Sequence, residues 1–292
     1  MDKQDLKTDI KDNRTLSREL EKKLKDEFEK VIDNPTDKQI KRYREVEEVL
    51  LALWLKDVMS NMIQGINDNI AIGKATALAQ LKKKGFKKVL DKTNDYKDLS
   101  NAQKQLIKAD LEKIVANIKA NSRRNILDIQ ESFIKQKKKL TKGFLQTFRK
   151  YGIAYFTDRR GARWTLERYV NMATTTVLAN ANRQAFFMKS IEMGNDLVKV
   201  YHIGLTPECD LCKPFTGKVL SITGRTKGYL TIDEAKEISG HLFSYNCDHD
   251  VNSLELAPDK EDGDNIINPT DQLKKRMQNK NIKNKLISQT PA

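Results

Sequence analysis

The sequence predicts a mostly α-helical protein in which long amphipathic helices are followed by a small metal-stapled α+β module and a basic C-terminal tail. Three observations predict this class. Charged residues make up 32% of the chain and aromatic residues only 7%, a balance typical of long, solvated helices. Apolar residues recur at helical spacing through much of the first two thirds of the chain. All the cysteines and histidines lie between His202 and His249.

The helices are predicted from apolar stripes and from the residues that interrupt them. Four segments carry the helical spacing: residues 16–31, 36–66, 100–140 and 164–193. Asn34-Pro35 ends the first segment, and Gly194 ends the last. The stripe of the second segment widens after Val49, which predicts several packing neighbours. We therefore expect residues 1–154 to form a helical assembly region.

A change of period marks the start of the small α+β module. Residues 197–203 alternate and are rich in β-branched side chains, and residues 218–222 resemble them, so both segments predict strands. Thr231 and Glu234 have the spacing of a capping box that begins a short helix. A hairpin and one short helix bury too little apolar surface to be stable alone. A bound metal, which contributes on the order of 10 kcal/mol, would supply the stability that residues 195–256 lack.

Two close pairs of soft donors lie inside this module and predict a zinc site. A C-x-x-C turn brings two sulfurs to adjacent corners of a tetrahedron, and a C-x-H pair can close the opposite edge. The predicted Zn2+ ligands are Cys209, Cys212, Cys247 and His249. His202 and His241 are the alternate ligands. Four protein ligands leave no open coordination position, so the predicted site is structural and has no catalytic residues.

Two other interpretations of these donors stay open. The module could contain free buried cysteines and solvated histidines, or Cys209 and Cys212 could form a redox pair. The few cysteines predict folding in a reducing cytoplasm, where a zinc site is favoured over a disulfide. The longest apolar run, around Val49–Leu55, is too short to span a bilayer, and Met1 does not begin a signal peptide. We therefore expect no membrane anchor.

The net charge of +14 indicates that the protein functions close to a polyanion. The metal module does not carry this charge, because residues 201–256 contain five Lys or Arg and eight Asp or Glu. Few aromatic residues accompany the basic clusters, which argues against sequence-specific reading of nucleic acid. Nonspecific DNA contacts are predicted at two lysine clusters: Lys82, Lys83, Lys84, Lys87 and Lys88, and Lys135, Lys137, Lys138, Lys139 and Lys142. Residues 257–292 predict a mobile basic tail that becomes helical from 271 to 287 when bound.

Residues 155–256 resemble a known family. The resemblance is carried in order by residues 161–172 (GARWTLERYVNM), 174–180, 193–200, 202–204, Cys209, 217–224 and 246–249. Together these blocks resemble the phage minor capsid protein family, within the wider group of Mu F-like head morphogenesis proteins. We accordingly divide the chain at residues 154 and 256.

The resemblance implies a minor head protein near the portal that assists procapsid assembly. Its implied partners are the portal protein, a coat or scaffolding protein, and phage DNA, with which it can leave the head. Its implied locations are the host cytoplasm during assembly and then the head interior. Two other classes are weighed against it. A treble-clef zinc nuclease would use His241 with Asp248 and an open metal position, and a DNA-associated helical adaptor would use the basic helices alone.

Overall fold

The computed structural model describes residues 3–33, 36–86, 96–134, 155–157, 161–204, 207–253 and 267–279. The helices are α1 (Lys3–Asp33), α2 (Asp37–Lys83), α3 (Tyr96–Ile134), α4 (Leu166–Glu192), α5 (Ile232–Ser239) and α6 (Asp271–Asn279). The strands are β1 (Tyr155–Thr157), β2 (Arg163–Thr165), β3 (Leu197–His202), β4 (Val219–Ser221) and β5 (His249–Ser253). The predicted class, long helices with a small α+β portion, is confirmed.

The chain forms two compact units. The helical unit comprises Asp2–Gly65 and Asn101–Thr175, and the sheet unit comprises Ile66–Ser100 and Thr176–Ala292. The long helices α2 and α4 therefore contribute residues to both units. The boundaries predicted at residues 154 and 256 follow changes in sequence composition and the family resemblance. The two units, in contrast, are defined by contacts in space.

The helical unit is built from α1, α3, the first part of α2 and the hairpin of β1 and β2. Its buried positions on α2 recur every three or four residues: Ile40, Tyr43, Glu47, Leu51, Trp54, Val58 and Met62. This spacing places one face of each helix against its neighbours. The rings of Phe28 and Tyr43 meet edge to face at 5.2 Å, and the indole of Trp54 donates to Ser17 Oγ at 3.3 Å.

Helix α2 has more apolar surface than the helical unit buries. Val49 is 59% exposed and Leu53 54% exposed, so the widened stripe is only partly covered. By length and composition alone α2 could cross a membrane, since one 18-residue window has a mean hydropathy of 1.2 and is 33% buried. Core helices of soluble proteins meet the same criterion. The absence of a membrane anchor stays a prediction.

The sheet unit contains a three-stranded antiparallel sheet in the order β4–β3–β5. Two of its strands are those that the sequence predicts. Val198 lies opposite Leu220 on one side of β3, and Val200 lies opposite Val251 on the other. All four side chains face a core that also includes residues of α5 and α6. The predicted capping box is present, because Thr231 Oγ1 accepts from the Glu234 amide while the Glu234 carboxylate accepts from the Thr231 amide.

Helix α6 lies within residues 257–292, which the sequence analysis treats as a mobile tail. Leu273 is fully buried and Met277 is nearly so, and both belong to the core of the sheet unit. Thr270 caps the helix through a bond from the Leu273 amide to its hydroxyl. Residues 267–279 are thus a packed element, and they coincide with the start of the predicted 271–287 helix.

Candidate metal centre

Three short structural features place cysteine and histidine donors close together in the sheet unit. Cys209 and Cys212 lie on a tight turn, in which the amides of Cys212 and Lys213 both bond to the Cys209 carbonyl at 3.0 and 2.8 Å. His241 follows directly on the C-cap of α5, where Gly240 takes the left-handed conformation with φ of 63°. His249 is the first residue of β5. An element end or a turn therefore fixes four of the donors: Cys209, Cys212, His241 and His249.

The donor atoms form two overlapping triads that share the buried thiol of Cys212. In the first triad, Nδ1 of His241 lies 3.4 Å from Sγ of Cys209 and 3.3 Å from Sγ of Cys212. In the second, Sγ of Cys247 lies 3.9 Å from Sγ of Cys212 and 3.5 Å from Nδ1 of His249. Within each triad the donor atoms are no more than 4.8 Å apart.

These separations fit the edges of a zinc tetrahedron. With Zn–S near 2.3 Å and Zn–N near 2.0–2.1 Å, tetrahedral ligand atoms lie about 3.6–3.8 Å apart. The four separations given above run from 3.3 Å to 3.9 Å, and the other two within the triads do not exceed 4.8 Å. The three cysteines are free thiols, so their sulfurs are available as ligands. Thiolate and imidazole donors at these distances could hold a zinc ion.

Five of the six predicted and alternate ligands lie in the two triads. All three cysteines fall within the triads, as does His249. The alternate His241 also falls within a triad and contacts two sulfurs. The other alternate, His202, lies outside both triads and opposite His249 in the sheet, with ring centres 5.0 Å apart. The complete ligand set stays a prediction.

Glu208 and Thr216 orient His249, and the sequence analysis does not identify either residue. Nε2 of His249 lies 2.9 Å from the Thr216 hydroxyl and 3.3 Å from Oε1 of Glu208, and the Thr216 hydroxyl in turn donates to Glu208. Burial opposes the charged form of His249, but hydrogen bonds to Cys247 and Glu208 outweigh it and raise the His249 pKa. A carboxylate on the second ring nitrogen is the usual partner of a metal-binding histidine.

The thiols of Cys212 and Cys247 are close enough to shift each other's pKa, since their sulfurs lie 3.9 Å apart. The hydrogen bond to Cys247, together with burial, raises the pKa of the Cys212 thiol. The same hydrogen bond lowers the pKa of Cys247 against the effect of burial, with help from His249. The amide of Phe243 also donates to Cys247 Sγ at 3.2 Å. Metal binding would release any proton that these sulfurs carry, because zinc binds thiolates.

A buried arginine of α4 holds the strand that carries His249. Arg183 is 4% exposed, and its Nη2 donates to the His249 carbonyl at 3.2 Å. Its Nε pairs with Asp250 at 3.4 Å, and its Nη1 donates to Asn180 at 2.7 Å. The backbone of the second close pair is therefore fixed to a long helix of the same unit.

The predicted DNA-contacting lysines are described only in part. Lys82 and Lys83 are exposed at the end of α2, while Lys84 is half-buried and donates to the Ser253 carbonyl at 2.5 Å. The other predicted contacts lie outside the described residues: Lys87, Lys88, Lys135, Lys137, Lys138, Lys139 and Lys142. The DNA contact stays a prediction.

Comparison with known families gives the class of protein, a component of the phage virion. The family described as phage minor capsid protein 2 matches residues 134–285, just over half of the chain. The chain belongs to this family, and the resemblance seen in the sequence is confirmed. No curated protein and no solved structure matches the chain. The matched residues include every donor of the two triads.

Proposed function

We propose that this capsid component is a minor head protein that works beside the portal during procapsid assembly. Membership of the phage minor capsid protein 2 family is the observation that carries the proposal. Helices α2 and α3 also carry exposed apolar residues that a partner protein could cover. They are Val49, Leu53, Leu106 and Leu127. The portal and a coat or scaffolding protein are the proposed partners.

Protein composition of purified heads tests this proposal. We expect the chain in proheads at a small fixed copy number, and its loss from heads assembled without portal protein. A photo-crosslinker at Leu106 should give adducts with the portal, whereas one at exposed Lys227 of the sheet unit serves as the matched control. Absence of the chain from both proheads and mature heads would contradict the assignment.

The Cys–His cluster is proposed to be a structural zinc site that stabilises the sheet unit. The shared thiol of Cys212 and the tetrahedral separations of both triads support this role. Elemental analysis of protein purified without added metal should find about one zinc per chain. Cys209→Ser and Cys247→Ser should lose the metal and unfold residues 195–256 while the helical unit keeps its circular dichroism. A metal-free protein whose folding is unchanged by chelator would contradict the proposal.

The same preparation tests the nuclease alternative. A site with four protein ligands leaves no position for a reactive water, so we expect no cutting of plasmid DNA. Metal-dependent cutting that disappears in His241→Ala and Asp248→Ala would replace the structural role with a catalytic one.

We further propose nonspecific DNA contacts at the lysine clusters, supported by the net charge of +14 and the exposure of Lys82 and Lys83. Removing one lysine–phosphate pair should make the slope of log K against log salt shallower by about 0.9. Lys82→Gln with Lys83→Gln should therefore weaken binding equally across sequences, while Lys227→Gln should not. DNA binding by a chain that is absent from heads would favour the helical adaptor.

A further inference from the structure

A cavity of about 420 Å³ opens on the sheet unit. Its lining includes Lys84, Lys199, Tyr201, Thr216 and Asn252. Alternation along β3 places Lys199 and Tyr201 on the face opposite the buried valines of that strand. Asn252 is the cross-strand partner of Lys199. The outer face of the sheet therefore forms one wall of the cavity.

The charge of this lining is suited to an anion. Among the described residues, two lysines and no carboxylate line the cavity. Lys84 is held at the rim by its bond to the Ser253 carbonyl, and an ammonium group has two further donors to offer. Lys199 is exposed. Asn252 adds a neutral amide to the same lining, whereas the hydroxyl of Thr216 is already bonded to Glu208 and His249.

The cavity is large enough to hold a ligand bigger than inorganic phosphate. Its volume lies within the range of about 300–1,000 Å³ typical of small-molecule sites, and the lining adds the aromatic side chain of Tyr201 to the two cations. Aromatic side chains next to basic groups are the combination that binds the base and phosphate of a single nucleotide. Lysine serves as a point charge for phosphate oxygens.

We propose that this cavity binds the phosphate ester of a nucleotide, with Lys84 and Lys199 as the groups that contact the phosphate. The ligand is either a free nucleoside monophosphate or one nucleotide of a single DNA strand, which share this chemistry. The site depends neither on the zinc proposal nor on the lysine clusters beyond Lys84.

Titration of the full-length chain with deoxyadenosine monophosphate, deoxyadenosine and inorganic phosphate tests the site. The monophosphate should bind more tightly than the nucleoside. Lys199→Glu should weaken it at least about tenfold, because a charge-assisted contact is replaced by a repulsive one. Lys227→Glu, an exposed lysine outside the cavity, should leave binding unchanged and is the matched control.

A short oligothymidylate distinguishes the two sources. Tighter binding of the oligonucleotide than of the monophosphate, weakened by the same variants, identifies a DNA strand; the reverse order identifies a free nucleotide. Binding that is unaffected by both Lys199→Glu and Lys84→Gln would overturn the proposal, as would no binding of any of these ligands. Hydrogen exchange on the unmodified chain gives a second measurement, since the monophosphate should protect residues 199–202.

Discussion

The guanidinium carbon of Arg183 lies 4.2 Å from the ring centre of Phe243, so a residue of α4 stacks on the loop that leads to Cys247. Phe243 has a φ of 60°, a left-handed conformation that costs energy for a bulky residue. The stacked arginine helps to retain that conformation. Because the same guanidinium also contacts the His249 carbonyl, Arg183 fixes the backbone on both sides of Cys247.

Arg183→Met should destabilise the sheet unit by about 3 kcal/mol, because it removes the cation that pairs with Asp250 and the donor to the His249 carbonyl. It should also lower zinc affinity, since the Cys247 loop loses its support. Urea unfolding and a competitive zinc titration measure the two effects. Arg168→Met, at an exposed position of the same helix, is the control. Equal stability of the two variants would contradict the anchoring role.

The histidine variants should identify the fourth ligand. Of the three histidines, His241 and His249 lie in the triads and His202 lies outside them. We expect His241→Ala or His249→Ala to reduce zinc affinity by more than about 100-fold, beyond what loss of an outer-shell partner costs. His202→Ala is the internal control and should change affinity little. The greatest loss in His202→Ala would show that the metal lies elsewhere.

A pH-dependent contribution to stability is expected at Asp196. Burial opposes its charge, but hydrogen bonds from Ser221, Thr223 and Thr226 lower the pKa of this carboxyl to about 2, against an ordinary value of 3.8. The carboxylate is thus favoured in the folded state. Its stabilisation is present above pH 3.8 and is lost as the pH falls toward about 2.

Asp196→Asn should therefore lower stability at neutral pH and reduce the further loss on acidification below pH 3.8. Urea unfolding at several pH values measures both effects, and hydrogen exchange should show faster opening of residues 222–226. Asp57→Asn, at an exposed position of α2, is the control. An acid dependence that is identical in Asp196→Asn and the unmodified chain would contradict this linkage.

Gly73 is required by the close packing of α2 on α4 within the sheet unit. A Cβ atom at this position would lie 2.1 Å from the Asn182 carbonyl oxygen. Gly73→Ala should destabilise the unit by about 1–3 kcal/mol through overpacking, although alanine is favoured over glycine in an open helix by about 1 kcal/mol. Thermal unfolding shows whether Gly73→Ala lowers or raises the stability of the unit. Ala75→Gly changes an exposed position of α2 and therefore reports the effect of helix propensity alone. A Gly73→Ala protein that is more stable than the unmodified chain would show that α2 and α4 can move apart.

The sequence predicts the elements whose signal is local. Helical spacing gives the long helices, and the capping box at Thr231 gives α5, because both patterns depend on near neighbours. It also predicts that the cysteines and histidines lie together. It does not predict strand β5, because the five residues of this strand are mostly polar and form only a short alternating pattern.

Other features depend on tertiary contacts that the sequence does not reveal. His241 reaches the Cys209–Cys212 turn only because α5 ends at Gly240. Leu273 and Met277 are an apolar pair with helical spacing in an otherwise basic segment, a weak signal that becomes clear once the core they fill is visible. Conversely, Val49 has the same apolar character but is exposed. Burial is decided by neighbours distant in sequence.

Helix α6 holds both sides of the first triad. The Thr270 hydroxyl donates to the Asp210 carbonyl at 2.6 Å, within the turn that carries Cys209 and Cys212. Arg276 Nε donates to the Ile238 carbonyl at 3.1 Å, near the end of the helix that leads to His241. A Cβ at Gly240 would overlap the Arg276 guanidinium, so the arginine packs directly on this C-cap. We therefore expect α6 to control how fast the metal leaves.

Leu273→Ala should destabilise the sheet unit by about 2–5 kcal/mol, since it removes a fully buried side chain from the core that contains Cys212. Arg276→Ala should cost less but should also speed zinc transfer to a chromogenic chelator, because the end of α5 loses a cap. Lys274→Ala changes an exposed residue whose ammonium group pairs with Asp271, and it should leave both quantities unchanged. Zinc transfer that is equally fast in all three variants would show that α6 packs beside the metal centre without restraining it.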